Sequence, residues 1–145
     1  MPGLSVYAMI FNNMDYINQQ IDYWKKSAER NWKTAGDLFQ TKHYDACLFF
    51  CHLALEKALK GLAVQETKKP APYIHDLEKL ADLAKIDLDQ EQIQNMRTIS
   101  TFNIAARYDD IKLAFYKKCT KEFTSKHLLI AKDLYLWLKN KSRKA

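Results

Sequence analysis

Arg107-Tyr108 falls where a helical hydrophobic pattern breaks, and this pair poses the first chemical question. A guanidinium is planar, forked and always charged, so one held at a break between helices suits a phosphate. Tyr108 offers a ring that can stack on a base or order the loop. Asp109 and Asp110 follow at once and offer the opposite outcome, an internal ion pair with Arg107. Lys112 adds a positive charge nearby. A second group, His52, Glu56 and Lys60, recurs every four residues and forms one row on a helix. Glu56 and Lys60 are oriented for an i,i+4 ion pair, worth about 0.3–0.5 kcal/mol on a surface. The alternative is that the row faces a cleft or a second subunit. His75 directly precedes a helical stretch, where imidazole can accept from an orphan N–H, so a capping role is expected.

The other histidines and the thiols carry less. His127 lies in an apolar helical stripe and is expected to be a buried, hydrogen-bonded core residue. His43 sits at a helix junction. Cys47, Cys51 and Cys119 are odd in number and lack paired spacing, so no disulfide framework is expected. Cys47 and Cys51 share a helix face that His43 continues, but a metal site needs three or four convergent ligands. Small thiols filling a helix interface are the expected arrangement, with no metal and no cofactor.

The elements that must position these groups are helical. Ile17, Ile21, Trp24, Ala28, Trp32, Ala35 and Phe39 recur at alternating spacings of three and four, the period of an amphipathic helix. Asn12 or Asn13 is the expected cap, and Gly36 loosens the last turn. After a break at Thr41 to His43, Cys47, Cys51, Ala54, Leu55, Ala58 and Leu62 mark a second helix, widened by Leu48, Phe49, Phe50 and Leu59. So apolar a helix is buried on more than one side, and so short a break predicts an antiparallel hairpin. Gln65 to Tyr73, with Pro70 and Pro72, reads as a loop. A short helix follows over Asp76 to Ala84. Asp89 and Gln92 have the spacing of a capping box and open a fourth helix, with Ile93, Met96 and Ile99 facing inward. The segment from Phe102 to Lys118 has no clear assignment. Asn103 and the Asp109-Asp110 pair favour a break there, whereas Ile104, Ala105 and Ala106 favour continuation. Thr120 caps a last helix whose stripe is Phe123, His127, Ile130, Leu134 and Trp137. The reading is an all-α protein, an up-and-down four-helix bundle with an additional short helix. Residues 1–14 form an N-terminal arm, 15–140 the bundle and 141–145 a basic tail.

The totals agree with one domain. A chain of 145 residues, 48% hydrophobic and 28% charged, can bury a core without staples. Only three Gly and three Pro encode few turns. The net charge of +6 is concentrated at one end. From Ile111 to Ala145 ten basic residues stand against two acidic ones. Such a concentration attracts phosphate backbones, or else forms a solvated helix face with a Lys-rich tail. No segment has the roughly 20 apolar residues needed to span a bilayer. No secretory signal is visible either, and the cytoplasm is the expected location.

Three segments taken together resemble the HEPN domain family: Glu56-Lys57-Ala58-Leu59-Lys60, His75-Asp76-Leu77-x-x-Leu80, and Ala106-Arg107-Tyr108. The resemblance extends from about Trp24 to Trp137. It implies an up-and-down helical bundle that commonly dimerises, and a homodimer is also expected from the abundance of Tyr and Phe. It further implies a minimal nucleotidyltransferase as partner, in a toxin–antitoxin or related defence pair, and a nucleotide or RNA as ligand. Catalytic members carry an Arg, four to six intervening residues and then a His. Positions 112 to 114 hold Lys112, Leu113 and Ala114 instead. Binding of nucleotide or RNA phosphates is therefore the leading expectation, with Arg107, Tyr108, Lys112, Lys60, His52 and His75 as candidates. A metal-independent RNase with an atypical site is the alternative, drawing a histidine from elsewhere in the fold. A purely structural interaction bundle is the third reading.

Overall fold

The computed structural model describes residues 6–142, with side chains from residue 13 onward. Residues 1–5 of the expected arm and 143–145 of the expected tail lie outside the described residues. Six helices succeed one another: α1 (Val6–Gln40), α2 (Tyr44–Thr67), α3 (Leu77–Leu83), α4 (Gln90–Arg107), α5 (Asp109–Lys118) and α6 (Lys121–Lys141). The described residues contain no strand. The all-α bundle is as expected, but it has two short helices, α3 and α5, rather than one.

α2 is the axis of the fold. Leu48, Leu55 and Leu59 on it are fully buried, as are Cys47 and Cys51. A helix apolar around most of its circumference must be surrounded, and α2 packs against α1, α3, α4, α5 and α6. Its most extensive partner is α1. Ile17, Ile21, Ala28 and Ala35 of the predicted α1 stripe are buried. Trp24 lies against Gly61, whose missing side chain lets the helices approach; a Cβ there would stand 3.2 Å from that of Trp24. This contact and the short Thr41 to His43 connection make α1 and α2 antiparallel. Trp32 of α1 and Tyr135 of α6 stack at 5.2 Å and tie α6 to the same assembly.

Helix ends follow local chemistry where a cap was legible. Asp89 and Gln92 form the capping box in full, and the Thr120 hydroxyl accepts from the Phe123 N–H. Several boundaries differ from the sequence reading. α1 begins at Val6, so neither Asn12 nor Asn13 caps it, and it passes through Gly36 without ending. Asp76, not His75, caps α3, accepting from the Lys79 N–H at 3.1 Å. α2 continues to Thr67 and closes on Lys68, whose φ of 58° is left-handed. Lys42 and Lys85 take the same conformation just beyond α1 and α3. With so few glycines, lysines supply these turns, and their cations suit the negative helix C-termini.

The unassigned segment resolves into the end of α4, a bend at Tyr108, and α5. Asn103 does not break the helix; it is buried inside α4. Tyr108 has extended backbone angles and serves as both the last cap of α4 and the first of α5. In α6 the inward face is Thr124, His127, Ala131, Leu134, Tyr135 and Leu138. It is rotated from the predicted stripe, leaving Phe123, Ile130 and Trp137 half-buried.

The α1–α2 seam tolerates no bulk at Gly61. Gly61→Leu is expected to lower stability by about 1–3 kcal/mol, the range for overpacking, measured as a drop in urea midpoint. An unchanged midpoint would show that α1 does not rest on α2 at this point.

Candidate functional site

The row His52, Glu56, Lys60 is not a surface ion pair. All three side chains are buried, against the surface reading. A buried carboxylate requires partners, and Glu56 has two strong ones. Its Oε1 accepts from His75 Nδ1 at 2.7 Å. Its Oε2 lies 3.4 Å from Lys60 Nζ. His52 Nε2 stands 4.0 Å from Oε1 but donates instead to the His75 carbonyl, at 2.9 Å. A carbonyl only accepts, so His52 carries its proton on Nε2 when neutral. Its Nδ1 is buried and has no hydrogen-bond partner.

Residue 75 is thus fastened to α2 twice, by its ring to Glu56 and by its carbonyl to His52. This explains why the imidazole is unavailable as a cap. The Glu56 carboxylate accepts from the Nδ1–H of His75, which leaves Nε2 as the basic nitrogen of the neutral ring. The His75 side chain remains 34% exposed. Lys60 lies between two rings, with Nζ 5.4 Å from the Trp24 centroid and 5.8 Å from that of Tyr73.

Arg107 stands at the other end of the same helix face. Its Nε donates to Asn103 Oδ1 at 2.8 Å, and the guanidinium lies 5.9 Å from the Phe49 ring on α2. Asn103 holds the guanidinium by Nε alone, and the terminal nitrogens have no hydrogen-bond partner among the described residues. Among the described residues no carboxylate lies within ion-pair distance of it. Asp109 and Asp110 occupy the first turn of α5, where negative charge complements the helix dipole. Tyr108 is exposed beside Arg107. Lys112 is exposed one turn into α5 and has no side-chain contact with the buried row.

Burial pushes the His52 imidazole below its ordinary value. The His75 carbonyl and the Glu56 charge oppose this shift, while His75 and Arg107 add to it. Of the six candidate residues, the structure brings His52, Lys60 and His75 together around Glu56. It sets Arg107 and Tyr108 at the adjoining end, and leaves Lys112 apart.

The four positioning residues not anticipated were Asn103, Phe49, Trp24 and Tyr73. Only Asn103 left a usable signal, its i,i+4 spacing from Arg107 within one helix. The cysteines behave as core. Cys47, Cys51 and Cys119 are free and buried, and no metal-binding cluster occurs among the described residues. His127 is the expected core histidine, its Nδ1 donating to the Phe123 carbonyl at 2.8 Å.

A profile of the HEPN domain matches residues 21–141, most of the chain. The chain belongs to the HEPN domain family. No curated protein matches it. The crystal structure of TT1696 from Thermus thermophilus is similar to this HEPN domain at 21% identity, covering 84% of this chain and 98% of that one, with a TM-score of 0.70. At that identity the likeness establishes the fold. The matched region of the HEPN domain contains the whole Glu56 cluster and Arg107. No helix among the described residues is long and apolar enough to cross a membrane.

The His52 shift has a direct consequence for stability. A folded value depressed below the unfolded one means that the folded state binds fewer protons. The associated stability is present above the unfolded value, about 6.5, and is lost as pH falls from there through the lowered folded value. The urea midpoint of the wild type should therefore fall between pH 7.5 and 5. His52→Gln keeps a donor for the His75 carbonyl but cannot titrate, so its profile should be flatter. Parallel profiles would remove His52 as the cause.

Proposed function

We propose that this HEPN domain binds the phosphates of a nucleotide or RNA at Arg107, as a homodimer working with a nucleotidyltransferase partner. The observation that carries this reading is the state of the Arg107 guanidinium. It is exposed, fixed by Asn103 and Phe49, and without a carboxylate partner among the described residues. A cation held rigid with free donors is prepared for a forked acceptor such as phosphate. Tyr108 beside it offers a stacking surface. Lys112 supplies long-range attraction and no fixed contact. The nucleotidyltransferase partner rests on family membership and is tested by co-purification from the native organism.

The homodimer has its own support. Ile104, Ile111, Leu113 and Tyr116 are exposed on the end of α4 and on α5. α5 also carries Asp109 and Asp110 at its start and Lys117 and Lys118 at its end. Antiparallel pairing of α5 with its copy sets acid against base, as a two-fold interface requires. The mass in solution at micromolar concentration should be twice the 17.0 kDa of one chain; a monomer would contradict this pairing.

RNase activity is the second reading, favoured by one observation. His75 is partly exposed and oriented by a buried carboxylate, the arrangement of a general base. One experiment addresses binding and cleavage. Nucleotides and short RNAs should raise the melting temperature of the wild type, because they bind only the native state. Arg107→Ala should lose this shift, a loss of about 1.5–3 kcal/mol for a charged hydrogen-bonded contact. An equal shift in both proteins would overturn the assignment. RNA recovered from the same mixtures should be intact; cleavage abolished by His75→Ala would establish the RNase reading instead.

A further inference from the structure

The Arg107 site is one end of a longer feature. Phe49, Glu56 and Lys60 are separated by seven and four residues and fall on one face of α2. At about 1.5 Å per residue they extend over about 16 Å. A group from elsewhere in the chain stands over each of them. Arg107 lies over Phe49, His75 binds Glu56, and Tyr73 covers Lys60.

Tyr73 is the unexplained member. It is 92% exposed, the most open large hydrophobic side chain described. Its ring meets His75 edge-on at 5.4 Å, so it has a defined seat without contributing to the core. Pro70 and Pro72 restrict the loop that carries it. An open aromatic face in a stiff loop is a stacking platform, since every base has a complementary face. Lys60 Nζ, 5.8 Å from the ring centroid, places a positive charge behind it. Lys57 and Arg30 add positive charge alongside. Their charges act on one another, and partial burial holds Lys57 below the ordinary lysine range.

We propose that the groups standing over this face of α2, Arg107, His75 and Tyr73, form a track for a short single-stranded nucleic acid, with a phosphate on Arg107 and a base further along the strand stacked on Tyr73. The proposal rests on the phosphate site at Arg107 and specifies its ligand as a strand rather than a mononucleotide. The physical reason is span. About 16 Å corresponds to about five stacked nucleotides at ~3.4 Å each, so a mononucleotide engages one end only. A strand that reaches both ends makes its second contact intramolecularly, at high effective concentration.

The test is a calorimetric titration with oligouridylates of one to six nucleotides at constant salt. The six-nucleotide strand should bind wild-type protein at least about tenfold more tightly than the mononucleotide. Tyr73→Ala should erase most of that gain and leave mononucleotide affinity unchanged. Its exposure makes a folding defect no concern. Affinity independent of length, or a Tyr73→Ala protein that keeps the full gain, overturns the track. Arg107→Ala should weaken every length. If it leaves mononucleotide binding intact, the phosphate site fails, whatever Tyr73→Ala does. Absence of binding at any length overturns both.

Discussion

Glu56 places a carboxylate on the most apolar helix of the bundle, almost wholly removed from water. An unpaired charge in that position would cost several kcal/mol, and the fold is arranged to prevent it. Lys60 answers from one turn along α2, and His75 answers from the loop before α3. The second answer is the consequential one. It draws the loop from Lys68 to Asp76 onto α2, fixes where α3 starts, and leaves Asp76 to cap the helix. It also sets Tyr73 over Lys60. Breaking such a cluster by removing one partner costs about 3–5 kcal/mol, whereas replacing the whole with apolar residues is often neutral. Its net contribution to stability is therefore small, and its contribution to the position of His75 is large.

The remaining architecture follows from surrounding α2. Because α2 is apolar around most of its circumference, it demands neighbours on nearly every side. α1 supplies the longest contact, at a seam narrowed by Gly61, and α4 and α6 close the other sides. The polar row occupies the part of α2 that these neighbours leave to the loop and to the α4–α5 bend. Site and core are thus on one helix. The core fixes α2, and α2 presents Phe49, Glu56 and Lys60 at set heights to the groups that meet them.

Arg107 shows how a bend can free a cation. Had α4 continued straight, Asp109 and Asp110 would have followed Arg107 within the same helix turn. The extended backbone at Tyr108 starts a new helix instead, and the two aspartates serve its N-terminus. Asn103 then becomes the only hydrogen-bonding partner of the guanidinium among the described residues, and a neutral one. The charge is held in place without being neutralised. His52, buried on α2, is bonded to the His75 backbone.

Much of the fold was legible because its signals are local. The three-and-four spacing of α1, the continuous apolar face of α2, and the caps at Asp89 and Thr120 depend on residues within a few positions of one another. Family membership was legible for the same reason, from three short segments in a fixed order. Where local signals compete, tertiary packing decided. Asn103 reads as a breaker, yet burial inside α4 and the bond to Arg107 outweigh its propensity. His75 reads as a cap, but a buried carboxylate 19 residues earlier in the chain holds its ring more strongly than a backbone N–H would. The sequence by itself determined the helical class, the order of all the helices but α5, and the residue types at the site. Only the tertiary structure decided that the polar row is buried, that Arg107 is free of its neighbouring aspartates, and that Tyr73 stands open. Each of these depends on charges and rings that meet across the fold, and sequence spacing carries no information about such meetings.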